Sequence, residues 1–507
     1  MKRVFQVFRN QQVAFAAVLG FGLLAMTAKP AVDPDLWWHL RTGQFIVETG
    51  HIPNVDPFSF TRAGAGWVAH EWLSEVVFFE LWKHGGFVAL IVFSSIVTTA
   101  GFMLLYFRCH TQGHWAAAAT ALGALAAAPA WGVRPQMFTF TLASLLLWLV
   151  DAGQKRPKLL FWIPPLFLLW LNLHAGFAIG LVLLLAYGLG LVCETAIGDT
   201  PWQVNRKPLL RIALLFLFSL GMVPFNPAGT QLYRYPFATL HSAGMRAFIS
   251  EWFSPDFHQW HYFPVLLVWL LVVVTFAYSR SRPKGRIIVP LLLTAAASLD
   301  AARHIPIFVL LVIPVIARLA SDWARCSKAT TSHPWERSRP VFNLAVVILM
   351  AGLAIAKWTM VARDQVEQES GLFPQAAVAS LPSTPDSTRV FAYYDWGGYA
   401  IWKLYPRYQV FVDGRADLYG DTLLRQFETA ISLHDGWREI LDQWGVNTVL
   451  LPLNCTLAQA LMINPDWRPS FNDSKAVVLV RSVHHGSNNQ APDVAELDNP
   501  VPGMAKK

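Results

Sequence analysis

Cysteine and charge are both scarce in this sequence. Of its 507 residues only four are cysteine, and 14% are Asp, Glu, Lys or Arg. No two cysteines form a CxxC pair, so the sequence has no sign of a thiolate metal site or of a dithiol redox motif. It also has no internal repeat and no low-complexity core. The missing repeat argues against the paired halves that many transporters show.

Apolar and aromatic residues, by contrast, are abundant. The chain is 54% hydrophobic and contains 22 Trp and 34 Phe, more than a soluble domain usually carries. The formal net charge is +8, but the basic residues fall mainly in short loops between apolar runs. This placement is typical of membrane topology and not of nucleic-acid binding. The expected surroundings are therefore a lipid bilayer, with no nucleic acid as partner.

The apolar runs predict about eleven transmembrane helices, because roughly 20 apolar residues cross a bilayer. Lys and Arg clusters occupy every second loop, which places the N-terminus in the cytoplasm and the C-terminal region outside, at the cytoplasmic (inner) membrane. Cys109, Cys193 and Cys326 then lie near the cytoplasmic face and Cys455 alone outside, so no structural disulfide is expected. A cleaved signal peptide is the alternative interpretation of the first run. The predicted spans lie at about 12–29, 86–107, 115–131, 137–150, 159–171, 175–193, 209–224, 261–279, 287–299, 304–320 and 341–358.

Three regions follow from this pattern. Residues 1–358 form a transmembrane domain with two long outer loops, 30–85 and 225–260. Residues 359–485 alternate strand and helix patterns and predict a small soluble α/β domain on the extracytoplasmic side. Residues 486–507 are polar and contain proline, so a disordered tail is expected. The fold class is thus a polytopic α-helical membrane protein with a small C-terminal α/β domain.

The stretch "AVDPDLWWHL", residues 31–40, follows the first apolar run directly. Asp33 can cap a helix, Pro34 suits its first position, and Asp35 favours the positive end of the helix dipole. Apolar residues on one side of the following helix predict an amphipathic helix lying in the outer interface. A capped connector is one interpretation of this stretch, and a functional carboxylate is the other.

The outer loops concentrate acids, histidines and arginines, whereas the cytoplasmic loops carry little beyond Lys and Arg. Polar groups at membrane depth are costly and usually face a cavity or a partner. Each of these residues also has a structural interpretation, such as a cap, a local ion pair or a buried packing contact. Taken together, they predict a site at the outer face. The candidates for substrate binding are His39, Asp56, His70, Arg134, Asn172, His174, Arg234, Arg303 and His304, and Glu71 joins Asp33 and Asp35 as a candidate catalytic acid.

This combination suits one kind of chemistry. A carboxylate at the membrane surface can deprotonate an acceptor hydroxyl or bind a divalent cation. Arginines can neutralise a phosphate or diphosphate leaving group. A substrate that carries such a group and stays in the membrane would be a polyprenyl-linked sugar, with an acceptor of unknown identity.

At these residues the sequence resembles the GT-C class of integral membrane glycosyltransferases. The likeness lies in the Asp33 and Asp35 stretch, in the helix after it and in the overall layout. "DPDLWWHLRTGQFIVETGHIPNVDPFSFT", "RPQMF", "NLHAGF" and "WGGYAIWKLYPRYQVFVDGRADLYG" also resemble a group of bacterial multi-pass proteins related to this class. The resemblance implies a GT-C fold and hexosyl or pentosyl transfer from a polyprenyl-phosphate or diphosphate donor.

The resemblance also implies particular roles. The catalytic acid maps to Asp33 or Asp35, and a second acid to Glu71 or Asp56. The two aspartates are candidate ligands for Mg²⁺ or Mn²⁺, although many enzymes of the class need no metal. In the C-terminal region, "FVDGRADLYG" follows a predicted strand and is either a further site, formed by Asp413, Arg415 and Asp417, or an ordinary Asp-Gly turn, which is the favoured interpretation. A lipid or solute transporter or flippase, and a non-catalytic GT-C-like scaffold, remain the alternative functions.

Overall fold

The computed structural model describes residues 10–109, 111, 113–278, 283–326, 340–382 and 388–482, without the side chains of 324–326. The predicted tail, 486–507, lies outside these residues. The chain divides into two compact units. The first contains the described residues up to 31, together with 81–232 and 250–365. The second contains 32–80, 233–249 and the described residues from 366 onward.

Long apolar helices dominate the first part of the chain. The helices at Leu36–Thr49, Tyr235–His241 and Ala243–Phe248 lie in the second unit, and most of the other helices before residue 365 build the first. In order, the helices are α1 Gln11–Thr27, α2 Leu36–Thr49, α3 Trp72–Arg108, α4 Gly113–Ala127, α5 Gln136–Gly153, α6 Ile163–Leu173, α7 Phe177–Ala196, α8 Trp202–Leu220, α9 Tyr235–His241, α10 Ala243–Phe248, α11 Phe263–Tyr278, α12 Gly285–Asp300, α13 Ile305–Cys326 and α14 Pro340–Leu372.

A helix lies at each of the eleven predicted places, but the count of about eleven spans is not confirmed. Helices α1, α4, α6 and α12 have 17, 15, 11 and 16 residues, fewer than the roughly 20 that cross a bilayer upright. Among the described residues, seven helical segments are long and apolar enough to cross a membrane: Trp72–Arg108, Gln136–Gly153, Phe177–Ala196, Trp202–Phe225, Trp260–Tyr278, Ala302–Trp323 and Pro340–Leu372.

Small residues let the helices of the first unit approach closely. A Cβ atom on Gly190 of α7 would lie 2.4 Å from the backbone oxygen of Gly285 at the start of α12. Next to this contact the buried Glu194 carboxylate accepts hydrogen bonds from the Arg286 guanidinium, at 2.8 and 2.5 Å. Close glycine contacts and buried polar pairs are common between helices in membranes.

The second unit contains a five-stranded sheet. Its strands are β1 Thr388–Ala392, β2 Tyr408–Val410, β3 Thr448–Pro452, β4 Trp467–Asn472 and β5 Ala476–Arg481, in the spatial order β2-β1-β3-β5-β4. Strands β1, β2 and β3 are parallel, and β5 is antiparallel to both β3 and β4. Its other helices are α15 Gln375–Ser380, α16 Tyr394–Leu404, α17 Ala416–Ile431, α18 Trp437–Gln443 and α19 Thr456–Met462.

The first long loop packs into this second unit. Its residues 58–60 extend along the free edge of β2, where the Val410 amide donates to the Phe58 carbonyl at 3.3 Å and the Phe60 amide to the Val410 carbonyl at 3.2 Å. The Thr61 hydroxyl then donates to the Phe411 carbonyl at 2.6 Å. The α/β unit therefore includes residues far upstream of position 359, where the sequence predicted that the soluble domain begins.

Two local predictions differ from the structure. Helix α2 was expected to lie in the membrane interface, but Leu36, Trp37 and Leu40 are fully buried by protein. Strand β4 was missed, because it is exposed and contains Pro469, which is tolerated only at a sheet edge.

Candidate functional site

The predicted site residues separate into two groups, one in each unit. Arg134, Asn172, His174, Arg303 and His304 belong to the first unit. The second unit contains Asp33, Asp35, His39, Asp56, His70, Glu71 and Arg234.

The first unit encloses a cavity of about 520 Å³. Four predicted residues line it: Arg134, His174, Arg303 and His304. They come from three turns at helix ends: one just before α5, one between α6 and α7, and one between α12 and α13. The carboxylates of Glu251 and Asp256, from the segment before α11, complete the charged part of the lining. Guanidinium and imidazole groups in one cavity are suited to bind a phosphate group.

Arg134 and Glu251 form an ion pair at this cavity, through Nη1 and Oε1. Burial alone would raise the pKa of the Glu251 carboxyl, but the positive charges of Arg134 and Arg303 lower it overall. Glu251 is therefore ionised, and it orients the Arg134 guanidinium group. This half-buried carboxylate also offsets the positive charges of Arg134 and Arg303.

Arg303 lies over an aromatic ring. Its guanidinium carbon is 4.4 Å from the centroid of the Trp252 ring, a cation–π contact that fixes the plane of the guanidinium group. The ring of His304 meets Trp252 edge-on at 6.5 Å, and His304 Nδ1 lies 3.2 Å from the Ala297 carbonyl. A carbonyl accepts hydrogen bonds, so the neutral His304 ring has its proton on Nδ1.

His174 is held by its own turn. Its Nδ1 accepts a hydrogen bond from the Gly176 amide at 3.0 Å and lies 2.7 Å from the Thr139 hydroxyl oxygen. Because Nδ1 acts as an acceptor, the proton of the neutral ring is on Nε2. Trp170 Nε1 donates to the same Thr139 oxygen at 2.9 Å, which leaves the Thr139 proton for His174.

Asn172 is not among the residues that line the cavity. Its side-chain oxygen accepts a hydrogen bond from Asn226 Nδ2 at 3.3 Å, and its own amide donates to the Leu168 carbonyl at 2.9 Å. These contacts connect the end of α6 to the loop after α8 and favour a structural role for this residue.

In the second unit, Asp33 and Asp35 form a turn before α2. Asp33 Oδ1 accepts a hydrogen bond from the Asp35 amide at 3.0 Å and closes a turn two residues before the N-cap of α2, so Asp33 is not the helix cap that the sequence predicted. The Asp35 carboxylate accepts a hydrogen bond from Trp38 Nε1 at 3.2 Å. Asp35 itself makes no side-chain cap to the helix. Its carboxylate is therefore oriented by an indole and not by the helix amides.

A chain of acids and histidines follows in the same unit. His39 Nε2 lies 3.6 Å from a Glu71 oxygen, and His39 Nδ1 lies 3.4 Å from a Glu75 oxygen. The other Glu71 oxygen is 3.0 Å from His70 Nε2. Glu71 thus contacts both predicted histidines, His39 and His70. All three residues are buried.

The pKa of His70 reflects its neighbours. Burial lowers the pKa of the His70 imidazole, but the charge and hydrogen bond of Glu71, with a further contribution from Asp417, raise it overall. Burial raises the pKa of the Asp417 carboxyl, and a hydrogen bond from Tyr235 opposes this effect. The Tyr235 ring packs on His70 at 4.3 Å, and Arg234, exposed at the start of α9, precedes it.

Asp56 lies in a separate buried network. Its carboxylate pairs with Arg415 Nη1 at 2.7 Å and accepts the Phe58 and Ser59 amides at 3.0 and 3.1 Å. The same guanidinium makes two bonds to the Asp413 carboxylate, at 2.9 and 2.7 Å. These contacts favour a structural role for Asp56 and join the first loop to the turn after β2.

Four further residues belong beside these sites and were not among the predicted site residues. Glu251 lines the cavity, and Asp417 raises the pKa of His70. Gly414 faces the Asp35 carboxylate, whose charge also acts on the buried Tyr394 hydroxyl. Glu251 is an acid in an outer loop, a signal that the sequence did contain. Gly414 and Asp417 lie in "FVDGRADLYG", which the sequence alone did not distinguish from an ordinary turn. Tyr394 follows a strand and has no local motif.

Metal binding has limited support from the geometry. Within the described ranges, no three or more His, Cys, Asp or Glu side chains are grouped as a metal site would require. A cation at Asp33 and Asp35 would have to take its other ligands from water and from the oxygens of a bound phosphate, as Mg²⁺ often does.

Two solved structures are similar to this chain over most of its length. The archaeal oligosaccharyltransferase AglB from Archaeoglobus fulgidus, in complex with an inhibitory peptide and a dolichol-phosphate, aligns with 87% of this chain and 69% of its own, at a TM-score of 0.55 and 10% identity. ArnT from Cupriavidus metallidurans, bound to undecaprenyl phosphate, aligns with 95% of this chain and 99% of its own, at a TM-score of 0.50 and 14% identity.

Both of these proteins are GT-C-type membrane glycosyltransferases, so the predicted GT-C resemblance is confirmed at the level of the fold. At such low identity the likeness is one of fold alone. No protein-family profile and no curated protein matches the sequence.

Proposed function

We propose that this protein transfers a sugar from a polyprenyl-phosphate or diphosphate carrier to an acceptor at the outer face of the cytoplasmic membrane. The observation that carries the proposal is the cavity of the first unit, in which Arg134, Arg303, His174 and His304 line one space. The shared fold supports it, because AglB and ArnT were each solved with a polyprenyl-type phosphate lipid. A hexosyl or pentosyl group is the proposed cargo.

The cavity supplies the groups that a phosphate leaving group needs. When the bond between the sugar C1 and the phosphate oxygen breaks, negative charge develops on that oxygen. Arg134 and Arg303 are oriented in advance by Glu251 and Trp252, so they stabilise this charge with little reorganisation.

The acceptor hydroxyl needs a base, and we assign that role to Asp35. Asp33 caps the turn through the Asp35 amide, whereas the Asp35 carboxylate is oriented by Trp38. As the acceptor oxygen forms its bond to C1, its proton passes to the Asp35 carboxylate. Asp33 and Asp35 are also the proposed ligands of Mg²⁺ or Mn²⁺, and such an ion would supply positive charge for an oxygen ligand of the substrate.

Turnover of a polyprenyl-phosphate sugar by the purified protein in lipid tests the proposal. We expect Asp35→Asn to lower turnover about 100-fold or more, because a positioned base contributes about that much. Asp33→Asn should cost less, since an Asn side chain still caps a turn. Asp435→Asn, at an exposed position of the same unit, is the matched control.

Arginine variants test the cavity separately. Arg134→Gln and Arg303→Gln should each weaken donor binding by about 10-fold or more, since a charge-assisted hydrogen bond contributes about 1.5–3 kcal/mol. Arg206→Gln, at an exposed position of the first unit, should leave binding unchanged. If no donor is consumed but labelled carrier lipid crosses the bilayer, the protein is a flippase. Binding without turnover or transport would instead identify a scaffold.

A further inference from the structure

The turn that contains Asp33 and Asp35 packs against glycines of the α/β sheet. A Cβ atom on Gly398 would lie 2.8 Å from the Pro34 carbonyl oxygen, and one on Gly414 would lie 1.7 Å from Asp35 Oδ1. Neither distance is possible between real atoms. The Asp35 carboxylate thus occupies the space that a side chain at position 414 would fill.

These glycines follow two neighbouring strands. Gly398 lies in the second turn of α16, the helix that follows β1, and Gly414 lies four residues after β2, which pairs in parallel with β1. The carboxyl ends of parallel strands meet at the same edge of a sheet, and functional groups gather there. Both glycines therefore contact the Asp33–Asp35 turn from one edge.

Aromatic side chains fix α2 in the same position. Trp37 meets Tyr399 of α16 edge-on at 4.8 Å and Phe373 at 5.1 Å, and Phe373 stacks on Tyr399 at 5.0 Å. Trp38 Nε1 donates a hydrogen bond to the Asp35 carboxylate. A Cβ atom on Gly414 would lie 3.1 Å from the same nitrogen. The carboxylate is therefore enclosed by an indole on its own helix and by the backbone of Gly414.

A buried tyrosine hydroxyl lies in the same region. Among the described residues, the Tyr394 hydroxyl has no hydrogen-bond partner. Burial, followed by the charges of Asp35 and Asp413, raises the pKa of Tyr394 well above its usual value. Its hydroxyl therefore stays protonated at every physiological pH.

We infer that Gly414 is a positioning residue for the reaction, because the absence of a side chain there lets the Asp35 carboxylate take its place beside Trp38. The inference rests on the proposed function, in which Asp35 is the base. It assigns the C-terminal α/β unit a part in the chemical step itself, through the turn after β2.

Gly414→Ala tests this inference without disturbing the backbone. The φ angle of Gly414 is outside the left-handed region, so alanine is compatible with it. The new methyl group meets the end of a flexible side chain, and the Asp35 carboxylate must rotate away. We expect kcat to fall about 100-fold, the typical cost of a misplacement of about 1 Å, while the KM for the donor stays unchanged.

The matched control is Gly371→Ala, in the last turn of α14 in the same unit. A Cβ atom on Gly371 would have no neighbour within 4 Å, so kcat and KM should both remain at the wild-type values. Amide hydrogen exchange of residues 33–39 gives a readout that does not depend on activity. It should become faster in Gly414→Ala and stay unchanged in Gly371→Ala.

The double variant Asp35→Asn with Gly414→Ala decides whether Gly414 acts through Asp35. If it does, the double variant has the same kcat as Asp35→Asn alone. The inference would be overturned if the reductions in kcat of the two single variants multiplied in the double variant. It would also be overturned if Gly414→Ala kept the wild-type kcat. If Asp35→Asn keeps full activity, the assignment of the base in the proposed function is what fails, and exchange at residues 33–39 still reports whether Gly414 holds the turn.

Discussion

His70 takes its charge state from contacts both near and distant in sequence. Its neighbours are Glu71, which also contacts His39, and Asp417 and Tyr235 from other segments. The Val68 carbonyl lies 3.1 Å from its Nδ1. The adjacent Glu71 raises the pKa of His70 most, and the more distant Asp417 adds to this effect.

The raised pKa of His70 predicts how stability depends on pH. A histidine whose pKa is higher in the folded than in the unfolded chain stabilises the fold fully below the unfolded pKa of about 6.5. This stabilisation is lost as the pH rises through the folded pKa. Above about pH 6.5 the melting temperature of the wild type should therefore fall more steeply with pH than the melting temperature of His70→Gln. Thermal denaturation of both proteins in detergent measures this difference.

His434→Gln serves as the control for this measurement, because His434 is exposed in the same unit. It should keep the wild-type slope of melting temperature against pH. A His70→Gln variant that also kept this slope would show that the Glu71 and Asp417 contacts do not hold the proton.

At the scale of elements, helix α2 was predicted correctly as a helix and wrongly as an interfacial one. Leu36, Trp37 and Leu40 do form an apolar face, as the sequence indicates. The same face suits a lipid interface or another helix equally well, and only the tertiary structure covers it with α16. Gly43 of the same helix packs directly against the backbone of Glu75. A Cβ atom on Gly43 would lie 2.1 Å from the Glu75 carbonyl oxygen.

The contact between α7 and α12 gives a prediction at this scale. Gly190→Ala places a methyl group 2.4 Å from the Gly285 oxygen and 2.5 Å from the Arg286 Cα atom. These are backbone atoms and cannot move without separating the helices, so the variant should lose about 1–3 kcal/mol of stability. Thermal denaturation in detergent measures the loss.

Gly188→Ala, on the same helix, is the matched control. Its new methyl group would meet Ile212 Cγ2 at 3.6 Å, an ordinary contact, so its melting temperature should stay close to that of the wild type. Equal losses in the two variants would mean that helix α7 is sensitive to any added methyl group and that the close approach to Gly285 is not special.

At the scale of the whole molecule, the distribution of Lys and Arg predicts on which side of the membrane the loops and the α/β unit lie. The loop that contains Lys155 should lie in the cytoplasm, and the α/β unit that contains Asp435 should lie outside. Both positions are exposed. In a background with all four cysteines replaced by serine, Asp435→Cys should react with a membrane-impermeant maleimide in intact spheroplasts. Lys155→Cys should react only after lysis, and the reverse pattern would invert the proposed orientation.

The sequence by itself determined the helical membrane class, the positions of the apolar helices, and most strands of the α/β unit. These features depend on local hydrophobicity and periodicity, which a single sequence contains. It also predicted Arg134, His174, Arg303 and His304 as site residues, because charged residues are rare and costly beside apolar runs.

Only the tertiary structure decided which of the candidate residues meet. It gathered those four around one cavity, placed Asp56 in a buried ion pair with Arg415, and set Gly414 against Asp35. The Asp56–Arg415 pair and the approach of Asp35 to Gly414 each join residues more than 350 positions apart, and the second also depends on the absence of a side chain. Local pattern carries no information about either, because both follow from how the chain packs.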